Sequence, residues 1–231
     1  MAKLISIRHG QSTWNAANKY TGWVNVPLSS LGREEAMLAA HKLSAYRIDS
    51  CFTSLLIRAI ETAVICLTER DGVFKDKSPV LKHNADDPQW HGWNCYEGDR
   101  SEEIPVFLSA ALDERYYGEL QGLNKTQSTE TFGPDQVQRW RRSYSDRPPG
   151  GESLADTAAR TIPYFKDRIL AHLQNGDNVL VSAHGNSLRS IIMVLDGLSQ
   201  QAVFHLELAT AIPIIYDVNP KGKITNKTIS S

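Results

Sequence analysis

Cysteine is scarce in this chain of 231 residues: Cys51, Cys66 and Cys95 are the whole complement. An odd number with no CxxC spacing excludes a disulfide framework and a zinc ribbon, and predicts reduced thiols in a cytoplasmic protein. Charge of one sign is also lacking. The 25 Lys and Arg nearly cancel the 26 Asp and Glu, for a net charge of −1. Global charge therefore offers nothing to nucleic acid or to a membrane surface, and any anionic ligand must be drawn by local clusters of Arg and Lys. No apolar run approaches the roughly 20 residues of a membrane-spanning helix. The N-terminus enters the strand-like Leu4-Ile5-Ser6-Ile7 at once, without a secretory leader.

Several catalytic signatures are missing too. No GxxxxGK[ST] loop occurs, which excludes a P-loop kinase. Gly185-Asn186-Ser187-Leu188-Arg189 lacks the second glycine of a nucleophile elbow. Cys51 and Arg58 are separated by six residues where a cysteine-phosphatase loop has five. His83, His91 and Cys95 do not have the spacing of a metal set.

What is present is an alternation of strand-like and helix-like segments. Short apolar strands are predicted at Leu4–Ile7, Ser50–Thr53, Asn178–Ser182 and Ile212–Val218. Helices are predicted from Ser29-Ser30 to about Tyr46, from Leu56 to about Thr68, from Gln136 to about Tyr144 and over Leu188–Leu195. Ser153-Leu154-Ala155-Asp156 reads as a capping box opening a helix to about Leu173, kinked or broken at Pro163. Residues 70–110 show no clear period and read as a long loop or insertion, with Trp90, Trp93 and Tyr96 available for a lid, a subunit contact or a satellite core. These features predict one α/β domain over residues 1–231: three layers, a mostly parallel sheet with helices on both faces.

The chemistry concentrates at two strand ends. Arg8-His9-Gly10 and His184-Gly185-Asn186 each follow an apolar strand, and in open α/β sheets ligands lie outside the carboxyl ends of the strands. Two histidines at two such ends can meet over one pocket, and a glycine after each lets backbone approach a ligand. Arg58, early in the second helix, carries a planar fork suited to phosphate.

The series Ile7 to Asn15, Tyr20 to Ser29, Thr53-Ser54 with Arg58 to Ala63, Leu112 to Lys125, Trp140 to Ser143, Pro148 to Leu154 and Ala183 to Arg189 strongly resembles the phosphoglycerate mutases of the histidine phosphatase superfamily. It does so in the same order over about three quarters of the chain. The resemblance implies an isomerase that interconverts 3- and 2-phosphoglycerate in glycolysis and gluconeogenesis. It implies His9 as the nucleophile that carries phosphate, Glu114 as general acid and base, and His184 as stabiliser of the transferring group. Arg8, Asn15 and Arg58 would hold that group. Thr21, Gly22, Arg115, Tyr116, Tyr117, Lys125, Arg141, Arg142, Gly185 and Asn186 would hold the rest of the substrate. It further implies 2,3-bisphosphoglycerate as primer and intermediate, no metal, a small phosphoglycerate as the partner, and a homodimer. Lys125, Arg141 and Arg142 remain after the transferring phosphate has its own cations, and a second anionic group needs such a cluster. The alternative, a histidine phosphatase acting on another small phosphorylated metabolite, does not need it.

Three departures from the family pattern stand out. Residues 70–110 are longer than the usual connection. Glu207-Leu208-Ala209-Thr210-Ala211-Ile212-Pro213 lacks a usual proline and glycine near the pocket. Only Asn219 to Ser231 follow the last predicted strand, and a site less covered by a tail is expected to admit water and leak phosphate.

Overall fold

The computed structural model describes residues 1–72, 77–83, 92 and 95–230; Trp90, His91 and Trp93 lie outside that set. Seven described strands form one sheet: β1 (Ala2–Arg8), β2 (Ser50–Thr53), β3 (Ser78–Lys82), β4 (Glu103–Leu108), β5 (Val179–Ala183), β6 (Ile214–Val218) and β7 (Ile224–Ile229), in the order β3-β4-β2-β5-β1-β6-β7. The four ladders from β3 to β1 are parallel, and β6 and β7 add antiparallel pairs at one edge. The mostly parallel α/β sheet read from the sequence is the observed one.

Alternation along each strand builds two cores. Leu4, Phe52, Val179, Val181 and Tyr216 pack on one face with Phe165, Ile169, Leu173, Leu188 and Ile191. Their neighbours Ile5, Ile7, Cys51, Leu180 and Ile215 pack on the other with Ala39, Leu43, Ala63 and Leu67. This is the period-2 pattern of a sheet covered on both sides. The covering helices are α2 (Ser30–Leu43) and α3 (Ile57–Thr68) on one face, and α6 (Leu154–Tyr164), α7 (Leu170–Gln174) and α8 (Gly185–Leu195) on the other.

Helix ends follow side-chain chemistry. Ser29 caps α2 through Gly32 N–H, and Ser153 and Asp156 form the expected capping box of α6. Pro163 sits near the end of α6, and the next five residues, Phe165–Ile169, form a π turn before α7 resumes. Proline removes a helical N–H, and a π turn absorbs the lost register while Phe165, Ile169 and Leu173 all stay in the core.

Residues 70–110 are corrected in part. They contain the two parallel strands β3 and β4 rather than loop alone. Their alternation was masked by Pro79 and Pro105, residues that argue against a ladder position. The shorter elements α1 (Thr13–Ala16), α4 (Lys125–Phe132) and α9 (Gln200–His205), and the polar edge strand β7, were not predicted. The predicted helix at 136–144 is α5, Pro134–Arg142.

Candidate active site

Strand register brings the two histidines together. Arg8 pairs with Ala183 in the β1–β5 ladder. The following residues, His9 and His184, therefore leave adjacent strands side by side, with His9 N–H donating to Ala183 O at 3.0 Å. Their rings stand edge to face, 4.9 Å between centroids. Thr53 of β2 pairs with Ser182 of β5, and Ser54 then meets His184, Oγ to Nε2, at 2.7 Å.

His9 is held as one tautomer. Its Nδ1 lies 2.7 Å from Gly10 O, and a carbonyl only accepts, so Nδ1 carries the proton. Arg58 Nε donates to His9 Nε2 at 3.3 Å, so Nε2 presents a lone pair. Burial, with Arg58 and Arg8 nearby, holds the His9 pKa well below the ordinary histidine value. Burial and the same two arginines, with His9, do the same for His184. Arg58 is itself buried and donates to Val24 O at 3.0 Å and Gly22 O at 2.7 Å. Burial lowers its pKa to about 10, still cationic at neutral pH.

Gly10 has a packing role that the sequence reading did not foresee. A Cβ there would stand 2.2 Å from Gly32 O in α2. At Gly185 a Cβ would meet only ordinary contacts, with Glu114 Oε2 at 3.7 Å and Arg8 Nε at 3.8 Å. The first glycine seats the loop on α2, and the second borders the space between Arg8 and Glu114.

Glu114 faces the histidines from the loop after β4. Its Oε1 accepts from Arg115 N–H at 2.8 Å, Asn186 N–H at 3.2 Å and Asn186 Nδ2 at 2.8 Å. His9, Glu114 and Asn186 border a cavity of about 220 Å³. Of the residues singled out from sequence, Arg8, His9, Asn15, Thr21, Gly22 and Arg58 line it from the first third of the chain. Glu114, Tyr117, Lys125, Arg141, Arg142, Gly185 and Asn186 line it from the remainder. Three do not reach its wall. His184 is buried behind His9. Arg115 is buried with its guanidinium 4.7 Å from the Tyr117 ring centre and donates to Tyr117 OH and Arg141 O. Tyr116 packs on Trp23, 4.9 Å between rings.

The sequence reading missed Lys19, Tyr20, Arg189, Leu206, Glu207 and Leu208 in the wall. Arg189 lies one helical turn after Asn186, a spacing that could have flagged it. It donates to Asn186 Oδ1 at 3.2 Å, which leaves the Asn186 amide nitrogen to face Glu114. Glu207 pairs with Arg142 at the rim, and no local pattern announces that contact. Counted together, the wall carries seven basic side chains and two carboxylates, Glu114 and Glu207. Arg8 Nε and Thr21 Oγ1 are buried there without a protein partner, as anion-binding groups are. Among the described residues no cluster of three or more His, Cys, Asp or Glu side chains could hold a metal ion, and no helix is long and apolar enough to cross a membrane.

The model of the histidine phosphatase superfamily, branch 1, matches residues 4–82 and 97–228. A 2,3-bisphosphoglycerate-dependent phosphoglycerate mutase of Gloeothece citriformis is 62% identical over 99% of both chains. One of Gloeobacter violaceus is 60% identical, again over 99% of both. The chain belongs to the 2,3-bisphosphoglycerate-dependent phosphoglycerate mutases of the histidine phosphatase superfamily. Solved histidine phosphatases share the fold at lower identity. A mycobacterial glucosyl-3-phosphoglycerate phosphatase is 24% identical with a TM-score of 0.71, over 94% of this chain and 93% of that one. The alpha-ribazole phosphatase of Shigella flexneri is 21% identical with a TM-score of 0.71, over 99% and 96%. At those identities the likeness is one of fold.

Proposed function

We propose that this chain interconverts 3-phosphoglycerate and 2-phosphoglycerate, in glycolysis and gluconeogenesis, through a phosphohistidine at His9 Nε2. The observation that carries the reading is a neutral histidine, fixed as the Nδ1–H tautomer, opening on a wall of seven cations and two carboxylates. One phosphate does not need seven cations; a molecule with two or three anionic groups does.

Phosphoryl transfer asks for positioning and charge neutralisation more than for covalent ingenuity. In the reading we favour, His9 Nε2 attacks phosphorus in line with the ester oxygen. The N–P bond forms as the P–O ester bond breaks, and Glu114 gives its proton to the departing alkoxide. In the reverse step Glu114 takes the proton of the attacking hydroxyl. Arg8, Arg58 and Asn15 hold the transferring group, and His184, kept neutral behind His9, supports it. Thr21, Gly22, Tyr117, Lys125, Arg141, Arg142, Gly185 and Asn186 hold the remainder, with Arg115 bracing Tyr117 and Arg141 from below and Tyr116 outside the wall. The same cations suit 2,3-bisphosphoglycerate, which when bound supplies the phosphoryl group that first charges His9. We place the activity in the cytoplasm, in one domain over residues 1–231 with an insertion at about 70–110, and in a homodimer.

The test is to incubate the purified protein with 3-phosphoglycerate, with and without catalytic 2,3-bisphosphoglycerate, and to follow 2-phosphoglycerate and free phosphate together. Fast, bisphosphoglycerate-stimulated isomerisation with little phosphate is expected. Phosphate release without isomerisation would remove the mutase reading.

A further inference from the structure

Glu114 is an unusual proton carrier in being fixed twice, once by its carboxylate and once by its own backbone carbonyl. Glu114 O accepts from Trp23 Nε1 at 2.6 Å and from Arg160 Nη2 at 2.9 Å. Arg160 projects from α6, an element that contributes nothing to the cavity wall. Its other terminal nitrogen, Nη1, donates to Ala110 O, Ala111 O and Asp113 O at 3.0–3.1 Å. One guanidinium thus gathers four carbonyls of the loop that delivers Glu114, and no other described side chain holds so much of that loop.

The arginine is itself anchored. Glu152 Oε2 takes Arg160 Nη2 at 3.1 Å and Tyr116 N–H at 2.9 Å, so the ion pair closes over both sides of Glu114. The Arg160 guanidinium also lies 5.9 Å from the Trp23 ring centre. Charge-assisted hydrogen bonds from a planar fork are directional, and a backbone held at Ala110, Ala111, Asp113, Glu114 and Tyr116 fixes where the Glu114 side chain begins. Trp23 is 45% exposed and so is not spent as core.

We propose that Trp23 and Arg160 are positioning residues for the proton-transferring carboxylate of Glu114, a role resting on the reading of Glu114 given above. The geometry makes a chemical prediction. When His9 takes a phosphoryl group from an alkyl ester, the ester P–O electron pair stays on an alkoxide that must receive the Glu114 proton. When the donor is an aryl phosphate with an acidic phenol, the phenolate leaves without that proton. A displaced Glu114 therefore slows the first donor and spares the second, whereas a generally damaged fold slows both.

The experiment measures His9 phosphorylation in the intact protein from 2,3-bisphosphoglycerate and from 2,4-dinitrophenyl phosphate, for wild type, Trp23→Phe, Arg160→Lys and a Glu114→Gln control. Trp23→Phe keeps one aromatic ring beside Tyr116 and loses the indole donor, and the aryl donor reports any general damage to the fold. A 10- to 100-fold loss with the alkyl donor and less than a threefold loss with the aryl donor is expected in all three variants, with the smallest effect in Arg160→Lys, which restores one donor. Equal losses on both donors in Trp23→Phe, or no loss on either, would overturn the proposal. If Glu114→Gln itself shows no donor dependence, the role of Glu114 falls instead, a distinct outcome that removes the premise as well.

Discussion

Arg58 and His9 meet nitrogen to nitrogen, guanidinium Nε donating to imidazole Nε2 across 3.3 Å. A permanent cation set against a histidine lone pair keeps that ring from taking a second proton. It also places positive charge where an incoming phosphoryl group will carry negative charge.

The first expectation is a pH profile. Because burial, Arg58 and Arg8 hold the His9 pKa well below 6.5, its ring is neutral throughout the neutral range. The acid limb that His9 contributes to phosphoenzyme formation should fall well below pH 6.5. Rapid-quench trapping of the phosphoenzyme between pH 5 and 8 measures it, and a His9 midpoint at or above 6.5 would contradict the structure. The stability linkage has a definite sign. The unfolded histidine binds a proton below about 6.5 while the native one does not, so its contribution to stability is full above that pH and is lost on acidification.

Asp113 should act in the opposite direction. Burial raises its pKa to about 6, against a bond from Leu55 N–H that lowers it. The native state therefore binds more protons than the unfolded state between pH 3.8 and 6. Its contribution declines as pH rises through 6 and is constant beyond. Asp113→Asn keeps an oxygen for Leu55 N–H, and should be more stable than wild type at pH 8 by on the order of 1–3 kcal/mol. The gain should shrink toward pH 4 in urea titrations. A pH-independent difference would rule out ionisation of Asp113 as its source.

Gly10→Ala tests the packing of the histidine loop on α2. Its Cβ would press on Gly32 O at 2.2 Å, a backbone atom that cannot rotate away. Overpacking of this kind costs about 1–3 kcal/mol, and Gly32→Ala, which meets Gln11 O at 2.0 Å, should cost the same. Thermal unfolding of each would show the loss, and an unchanged midpoint would mean that the two backbones are not in contact.

Glu207→Gln should tighten substrate. The carboxylate pairs with Arg142 at the rim and is largely exposed, so the pair is worth only about 0–1 kcal/mol. A two- to fivefold fall in KM for 3-phosphoglycerate, with kcat nearly unchanged, is expected from initial rates. A rise in KM would instead mean that Glu207 holds Arg142 in place for the substrate.

Much of this was readable in the sequence because strand ends are local signals. Apolar runs stopped at Arg8-His9 and at His184, and the parallel register did the rest. Glu114, Lys125 and Arg141 were legible only through resemblance, since nothing local says that a loop after β4 folds back over β1. Pro79 and Pro105 hid two strands by breaking the expected donor pattern. The loss of a usual glycine near Ala211 was visible, but its consequence was not: Ala211 is buried with φ of +51° and donates its N–H to Arg8 O at 2.9 Å. A left-handed alanine costs about 1–2 kcal/mol, and it is held at the strand that delivers His9. Arg189 and Glu207 were read only as parts of longer stretches, without a role: Arg189 acts on Asn186 one helical turn away, and Glu207 on Arg142, distant in the chain.

The cavity wall has a consequence for how the protein meets its ligands. Seven cations less two carboxylates leave +5 in the wall, so with −1 for the whole chain the rest carries −6. Seen from beyond a Debye length of about 8 Å the molecule is nearly featureless. Inside that distance the cavity is a positive mouth on a chain whose other charges sum to −6. Small multivalent anions are drawn to that opening and polyanions too large to enter are turned away by the surroundings. Sorting by size and sign thus begins before contact, and capture rates should weaken as salt rises.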